Sequence, residues 1–256
     1  MSPAEHPFVR FLHVKKAFGP KRIYSDLCLD IRKGETLTLL GGSGTGKSVM
    51  LKLLIGLVTA DQGRIEVDGE DVAGFTDEQF LPIRRRISML FQSGALFDSL
   101  SVGDNVAYPL REQAKFTEAE IADRVAERLE VVGLPGIQAM KPSDLSGGMR
   151  KRVGLARAIA VDPEMILYDE PTTGLDPMNT RRISELILSI QERLRVTSLV
   201  VTHDLPSAYM VSNRLAMLAH GRIAVALPKA DFWRSPEKAL RDFIEAMPGP
   251  APESRR

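Results

Sequence analysis

The sequence predicts an α/β fold with a helical insertion, and three observations lead to this prediction. Short apolar segments with the character of strands alternate with helical stretches along most of the chain. Between about residues 93 and 145, β-branched runs become few and helical patterns dominate. The 256 residues are 44% apolar and 26% charged, as in an ordinary globular protein that buries a core.

The chain up to residue 92 reads mainly as strands. Residues 36–40 are apolar enough for a central strand, and Asp68-Gly69 is typical of a tight hairpin turn. The helix that follows the central strand is expected to end near Gly56. In order, we expect strands at 8–14, 27–31 and 36–40, a helix at 47–57, a hairpin at 64–72 and a strand at 87–91.

Helices dominate the insertion, and strands return after it. The clearest helix spans residues 117–134, where apolar residues recur at helical spacing. Thr117 and Glu120 form a capping box at its start, and Gly133 ends it. After the insertion we expect a helix at 147–160, a strand at 165–169, a helix at 177–194, a strand at 198–202, a hairpin at 214–227 and a last helix at 239–247.

A glycine-rich segment joins the central strand to its helix and matches the pattern GxxxxGK[ST] in full. Glycines let backbone N–H groups converge on phosphate oxygens, and the helix N-terminus adds partial positive charge. Lys47 can reach the β- and γ-phosphates, and the Ser48 hydroxyl can ligate Mg²⁺. The predicted nucleotide-binding residues here are Gly41, Gly42, Ser43, Gly44, Thr45, Gly46, Lys47, Ser48 and Val49.

Two adjacent acids close the apolar strand 165–169. Neighbouring residues of a regular strand point to opposite faces, so both can face one pocket only if the strand ends between them. Asp169 would then support Mg²⁺, and Glu170 would activate the attacking water. The alternative is a strand that ends in two solvated acids.

A third segment, Leu145-Ser146-Gly147-Gly148-Met149, opens the helix 147–160 with Ser146 at the N-cap. Leu-Ser-Gly-Gly about twenty residues ahead of an acid-ended strand, in a chain with the glycine-rich segment, resembles the signature of ATP-binding cassette (ABC) ATPases. The resemblance runs from about residue 8 to residue 228, with the motifs in the family's order.

The resemblance implies roles for four more residues. Gln92 resembles the glutamine that contacts ATP and Mg²⁺, and His203 resembles the switch histidine, a catalytic residue beside Glu170 and Lys47. Asp176 resembles the acid of the loop that links two sites. Phe18 resembles the aromatic that stacks on adenine. The other histidines, His6, His13 and His220, are expected to be structural or solvated.

The resemblance also implies an architecture. It is a RecA-like P-loop NTPase core with an N-terminal antiparallel β subdomain and an α-helical signature subdomain. The expected boundaries are residues 1–92 and 156–231 for the core with the β subdomain, 93–155 for the helical subdomain, and 232–256 for a C-terminal helix and disordered tail. Two such chains pair head to tail as a homodimer. The signature residues, Leu145 to Met149, then act on the nucleotide of the partner.

Three local segments indicate a particular class of ABC transporter. The segments MLFQSGALF and NVAYPLRE, with GGSGTGKSV, resemble the ATPases of Mla-type systems, which move phospholipids with a permease and an MCE-domain lipid-binding protein. This implies an ATP- and Mg²⁺-dependent motor on the cytoplasmic face of the inner membrane, which touches the membrane only through its permease. Leu96, Phe97 and Leu100 could line a groove of this chain that receives a coupling helix of the permease, or they could pack internally.

Composition limits the alternatives. A net charge of +1 gives no bulk attraction to nucleic acid, and no apolar run approaches the roughly 18–20 residues of a membrane span. One cysteine fits a reducing compartment, and residues 1–19 lack the apolar region of a secretory signal. The alternatives are a cassette for another substrate such as an amino acid or ion, a non-transport ABC ATPase, and a nucleotide-bound scaffold without turnover.

Two triplets of basic residues are open to two interpretations. Arg84–Arg86 and Arg150–Arg152 are expected to be solvated, although one residue of the second triplet could face the partner's nucleotide.

Overall fold

The computed structural model describes residues 7–246, so His6, the last residue of the predicted helix 239–247 and the predicted tail after it lie outside the described residues. The strands are β1 (Val9–Phe18), β2 (Lys21–Ile31), β3 (Thr36–Leu40), β4 (Gln62–Val67), β5 (Glu70–Asp71), β6 (Ile87–Leu90), β7 (Met165–Asp169), β8 (Thr197–Thr202), β9 (Arg214–Ala219) and β10 (Arg222–Pro228).

The helices alternate with the strands after β3. They are α1 (Lys47–Leu54), α2 (Asp77–Arg86), α3 (Val102–Gln113), α4 (Glu118–Val131), α5 (Gly147–Ile159), α6 (Pro177–Leu194), α7 (Leu205–Val211), α8 (Lys229–Phe232) and α9 (Lys238–Glu245). Among residues 7–246, no helix is long and apolar enough to cross a membrane.

Two sheets form the frame of the molecule. One has four antiparallel strands in the order β2-β1-β4-β5, and the other has six in the order β10-β9-β3-β8-β7-β6. In the second sheet, β9, β3, β8, β7 and β6 run parallel, and β10 closes one edge antiparallel to β9. The carboxyl ends of the parallel strands share one edge, which is where open α/β sheets bind their ligands.

Helices and the smaller sheet cover both faces of the six-stranded sheet. In β7, Met165 and Leu167 enter one core with β1, β2 and α1, whereas Ile166 and Tyr168 enter a second core with α3 to α6. A smaller third core joins α7, β9, α8 and α9. Burial on both faces explains why β3, β7 and β8 are apolar throughout rather than alternating.

The predicted fold class is confirmed: an α/β nucleotide-binding core carries an antiparallel sheet and a helical insertion in which α3 and α4 pack against α5. The subdomain boundaries at residues 93 and 155 stay a prediction. Strands β3 and β7 and helix α6 have the predicted bounds. Strand β2 begins six residues before its predicted start, and α2 and α7 were not predicted.

Candidate nucleotide site

A cleft of about 910 Å³ opens at the carboxyl edge of the six-stranded sheet. The glycine-rich loop after β3 forms its floor, Glu170 follows β7, and His203 follows β8. The sequence-predicted residues that line it are Phe18, Gly42, Ser43, Gly44, Gly46, Lys47, Ser48, Val49, Gln92, Glu170 and His203. Residues from five separate segments therefore meet in one place.

The loop depends on glycine where it turns into α1. Gly46 has φ +109°, and a Cβ there would lie 2.5 Å from Cγ2 of Ile23. Any side chain at this position would collide with β2 and strain the backbone. Gly46 is also the N-cap of α1 and offers no capping side chain, so the first amides of the helix are available to an anion.

Lys47 lies in the floor of the cleft and is only 7% exposed. Its ammonium Nζ donates to the carbonyl oxygens of Gly41 at 2.9 Å and Gly42 at 3.2 Å. It also lies 3.4 Å from Oε1 of Glu170. Thr45 closes the loop by donating from Oγ1 to the carbonyl of Gly42 at 2.9 Å. The loop therefore holds its one cation beside the catalytic candidate.

Ser48 and Asp169 form the second contact of the site. The Ser48 hydroxyl Oγ donates to Oδ1 of Asp169 at 2.7 Å, and this hydrogen bond joins the start of α1 to the end of β7. Burial raises the pKa of Asp169, against the opposing effect of this hydrogen bond. A hydroxyl and a carboxylate side by side are the oxygen ligands that a hard divalent cation prefers. The pair fits the predicted Mg²⁺ site.

Glu170 faces the cleft because β7 ends one residue before it. Its φ of +47° breaks the strand alternation, so both acids turn toward the site. Oε2 of Glu170 lies 3.0 Å from Nδ1 of His203 and accepts from Oγ1 of Thr173 at 3.1 Å. Burial acts to raise the pKa of Glu170, but the His203 hydrogen bond and the Lys47 charge outweigh it and lower the pKa below its ordinary value.

Phe18 and Gln92 stand at the walls of the cleft. Phe18 ends β1 with its ring 48% exposed, and Nζ of Lys16 lies 5.1 Å from the ring centroid. Gln92 follows β6 and is exposed. The C-terminal helix α9 adds Phe243 and Ala246 to the same wall, which the sequence did not predict because nothing in its pattern indicates where that helix docks.

The signature residues and Asp176 are not brought to this cleft. The Ser146 Oγ accepts from the Met149 N–H at 3.2 Å and caps α5, while Asp176 caps α6 by accepting from the Asn179 N–H at 3.0 Å. Leu145 is buried below them. Gly148 lies against Asn179, because a Cβ on it would be 3.0 Å from the Asn179 Oδ1. Signature and linking loop thus share a second surface of the chain.

Lys151 is a site residue that the sequence analysis missed. Its Nζ donates to the carbonyls of Pro171 at 2.8 Å, Thr173 at 2.7 Å and Glu170 at 3.3 Å. Burial lowers the pKa of Lys151 to about 8. The spacing of residues in α5 could have indicated this burial. Lys151 lies three residues after Gly148 and four before Leu155, so it shares the buried face of the helix with them.

The expectation that the second basic triplet is solvated is therefore wrong for two of its members. Lys151 and Arg152 are buried, and Arg152 donates from Nη1 to the carbonyl of Gly133 at 3.0 Å. Only Arg150 is exposed, and it donates to the carbonyl of Leu145 at 2.7 Å. Tertiary contacts with backbone carbonyls replace the water that the charges would otherwise keep.

Comparison with known proteins agrees with this geometry. Residues 24–173 match the family model described as ABC transporter. A probable ribonucleotide transport ATP-binding protein, mkl, of Mycobacterium leprae is 45% identical over 90% of this chain and 66% of its own length, so the chain spans just under two thirds of that relative. The intermembrane phospholipid transport system ATP-binding protein MlaF is 42% identical in Haemophilus influenzae, over 89% of this chain and 86% of its own length.

Solved structures show the same architecture. A dimeric ATP-binding cassette in a post-hydrolysis state, bound to ADP and phosphate, superposes with a TM-score of 0.80 at 30% identity, over 86% of this chain and 98% of its own. The structure of cbiO1 from Clostridium perfringens, part of an ABC transporter complex, has a TM-score of 0.82 at 26% identity, over 95% of this chain and 97% of its own.

Proposed function

Because the chain belongs to the ABC transporter family, we propose that it is the ATP-hydrolysing motor subunit of a lipid transporter. One observation carries the ATPase part of the proposal. Lys47, Ser48, Glu170 and His203 face a single cleft whose floor is a glycine-rich loop at a helix N-terminus, and Asp169 is hydrogen-bonded to Ser48 behind that floor. These are a phosphate cradle, a cation site and a water-activating base in one place.

Hydrolysis follows from these positions. A water molecule attacks the γ-phosphorus of ATP, the bond to the β–γ bridging oxygen breaks, and ADP and phosphate form. Glu170 accepts the proton of the water, and its lowered pKa keeps it ionised at neutral pH for that task. His203 holds Glu170 in position through the 3.0 Å contact, and Lys47 neutralises charge on the phosphates.

The divalent cation of this proposal is Mg²⁺, which Ser48 and Asp169 would hold, with Gln92 at the edge of the same cleft. Support comes from the oxygen donors already paired at 2.7 Å and from the hard-cation preference for such ligands. When bound, Mg²⁺ neutralises negative charge on the β- and γ-phosphates.

The active unit is a pair of these chains related head to tail. Each cleft lacks residues 145–149 of its own chain, which lie on a separate surface. In the pair, Ser146, Gly147 and Gly148 of one chain approach the γ-phosphate held by Lys47 of the other. Asp176, beside the signature, connects the two sites. The dimeric ATP-binding cassette bound to ADP and phosphate supports this arrangement.

The cargo is phospholipid or a related lipid, and the membrane part is a separate permease with an MCE-domain lipid-binding protein. The support is the local resemblance of residues 89–97 and 105–112 to Mla-type ATPases, and the MlaF relatives that match over 86% and 87% of their own length. Phe97 is 44% exposed and packs on Tyr108 at 5.0 Å between ring centroids, which gives the permease an apolar contact near Leu96 and Leu100. We propose that the motor works at the cytoplasmic face of the inner membrane, in contact with that permease.

Substitution of the base tests the ATPase mechanism. In Glu170→Gln, we expect nucleotide binding to persist and steady-state hydrolysis to fall by roughly 10²–10⁴, the usual effect of losing a general base. Phosphate release and binding of a fluorescent ATP analogue measure the two quantities. The control is Glu130→Gln, an exposed glutamate on α4. Hydrolysis at the wild-type rate in Glu170→Gln would disprove the assignment of the base.

The transport part needs a different experiment. The tagged chain is purified in mild detergent from its native membranes, and mass spectrometry identifies proteins and lipids that accompany it. We expect a multi-span permease, an MCE-domain protein and phospholipid. A permease with a soluble solute-binding protein and no lipid would overturn the lipid assignment and leave the ATPase intact.

A further inference from the structure

A second cluster of chemically active side chains lies on the outer face of the four-stranded sheet. His13 of β1 and Asp26 and Cys28 of β2 are exposed, and a ligand atom from each lies within 4.8 Å of the others. None of the three lines the nucleotide cleft. An imidazole, a carboxylate and a thiol form a mixed nitrogen, oxygen and sulfur set, which suits a borderline metal such as Zn²⁺.

A β-bulge places His13 in this cluster. Phe11 pairs with Leu29 and Val14 pairs with Leu27, so two residues of β1 oppose Cys28 alone. Strict alternation after the buried Phe11 would turn His13 inward. The extra residue turns it outward with φ +51° instead, and lets Val14 take the buried position.

The neighbouring strand β4 is shaped to accept the bulge. Gly63, with φ +90°, lies against the His13 backbone, because a Cβ on it would be 2.5 Å from the His13 carbonyl oxygen. A side chain at residue 63 would push β1 and β4 apart at this point. The bulge therefore rests on the tertiary structure and not on His13 alone.

The distance between His13 and Cys28 is the one expected when both bind one ion. Nδ1 of His13 lies 3.6 Å from Sγ of Cys28, and it lies 2.8 Å from Oδ1 of Asp26, a hydrogen-bond distance that would lengthen by about 0.5 Å when both bind the same ion. Two ligands of a tetrahedral Zn²⁺, one sulfur and one nitrogen, are about 3.5 Å apart, given Zn–S and Zn–N bonds of about 2.3 and 2.0 Å. A relay of acid, histidine and thiol would use both ring nitrogens, whereas here both partners face Nδ1.

The backbone also fixes the position of the thiol. The His13 N–H donates to Sγ of Cys28 at 3.3 Å, so the bulge that turns His13 outward also holds the sulfur beside it.

We propose that His13, Asp26 and Cys28 form a Zn²⁺ site with three protein ligands and water in the fourth position. Nδ1 of neutral His13, one carboxylate oxygen of Asp26 and the Cys28 thiolate bind the ion. The thiol proton leaves to solvent on binding, and no electron is transferred. The ion ties β1 to β2 at the bulge. The proposal is independent of the nucleotide site.

Co²⁺ and Zn²⁺ binding to the full-length, tag-free chain tests the site. Thiolate coordination to Co²⁺ gives a near-ultraviolet charge-transfer band, and tetrahedral geometry gives strong visible bands. We expect both bands at one equivalent of Co²⁺ and their loss on adding Zn²⁺. Cys28→Ser should abolish the charge-transfer band. His13→Asn and Asp26→Asn should weaken Zn²⁺ binding, measured by competition with a chromophoric chelator, by about tenfold or more.

The controls separate metal binding from folding. Asparagine tolerates the left-handed backbone of His13, so His13→Asn keeps the bulge. His220→Asn is the matched control, since His220 is also exposed, has φ +50° and lies outside the cluster. Zn²⁺ should raise the unfolding midpoint of the wild type and of His220→Asn but not of Cys28→Ser. Absence of the thiolate band in the wild type, or unchanged Zn²⁺ affinity in His13→Asn, would overturn the proposal.

Discussion

The nucleotide cleft and the signature surface are built differently, although both begin at the N-terminus of a helix. In the cleft, Gly46 leaves the first amides of α1 without a capping side chain, and Lys47 and Glu170 lie together beside them. On the signature surface, Ser146 and Asp176 cap α5 and α6 with their own side chains. The first surface leaves helix amides available to a ligand, whereas on the second surface the chain's own side chains cap the helices.

This difference indicates what each surface lacks. The cleft has a phosphate cradle and a base but nothing to cover the γ-phosphate. The signature surface has helix amides but no pair like Lys47 and Glu170, and its exposed Arg150 donates to the carbonyl of Leu145. In the proposed head-to-tail pair, these two surfaces of separate chains complete one another, and each site takes residues from both copies. The following substitutions break one half at a time.

The largest effect is expected from Lys47→Ala. Lys47 is the buried cation of the cleft, so its removal takes away a charge-assisted contact worth about 1.5–3 kcal/mol in binding and the neutralising charge in hydrolysis. We expect ATP affinity to fall at least about tenfold and turnover to fall to background. Equilibrium binding and phosphate release measure these, with Lys115→Ala, an exposed lysine, as the control. Substantial turnover in Lys47→Ala would contradict the assignment of the cleft.

Ser146→Arg breaks the other half. The arginine should disrupt the contact of residues 146–148 with the γ-phosphate at the site that it enters, so turnover is lost there while each chain still binds ATP. Mixing Ser146→Arg with Lys47→Ala sharpens the test, because a mixed pair has one site with both halves intact. We expect the mixture to recover about a quarter of the wild-type rate, since half of randomly formed pairs carry one good site of two. If mixing restores no activity, the two halves do not meet between chains.

Lys151 links the two surfaces, because it extends from α5 to the carbonyl groups around Glu170. Its pKa is about 8 in the folded chain against 10.5 for an ordinary lysine. The unfolded chain therefore binds more protons between these values, and stability rises with pH across that window. The unfolding free energy of the wild type should rise by up to ~3 kcal/mol relative to Lys151→Met from pH 8 to 10.5.

Chemical denaturation of both chains at a series of pH values measures this difference. Lys115→Met, at an exposed lysine, should show no such trend relative to the wild type. A constant gap between the wild type and Lys151→Met over the window would show that Lys151 is not held in a desolvated place.

The smallest effect is expected from Phe18→Ala. A base stacked on an aromatic ring is worth roughly 1–3 kcal/mol, so ATP affinity should fall about 5- to 150-fold with little change in turnover at saturating ATP. Phe97→Ala removes a ring of similar exposure from the helical region and serves as the control in the isolated chain. Equal ATP affinity in the two variants would remove Phe18 from the adenine site.

Sequence periodicity and motif spacing predicted most of the frame. Helix α6 was predicted to the residue because Asp176 caps it, Pro177 opens it and its apolar stripe is regular. Strands β3 and β7 are continuous apolar runs between clear turns. Helix α2 was missed although Thr76 and Gln79 form a capping box, because it contains Pro82 and three arginines and has few apolar residues.

The candidate site was predicted unevenly for a physical reason. The glycine-rich loop is one continuous segment, and the two acids are neighbours in the sequence. Each of these motifs can therefore be recognised from the sequence itself. Lys151 donates to a carbonyl twenty residues away, and Phe243 lines the cleft with segments forty or more residues away, which no local pattern records. The bulge at His13 was missed for the same reason, since it is fixed by Gly63 of another strand.

The place of β3 in its sheet has a consequence for biosynthesis. The strand that carries the phosphate loop ends at Leu40, yet its hydrogen-bonding neighbours are β8 and β9, which end at Thr202 and Ala219. A ribosome must therefore make all the residues between them before the loop gains its scaffold. Until then the apolar strand lacks its partners, and the nascent chain is exposed to aggregation throughout that interval.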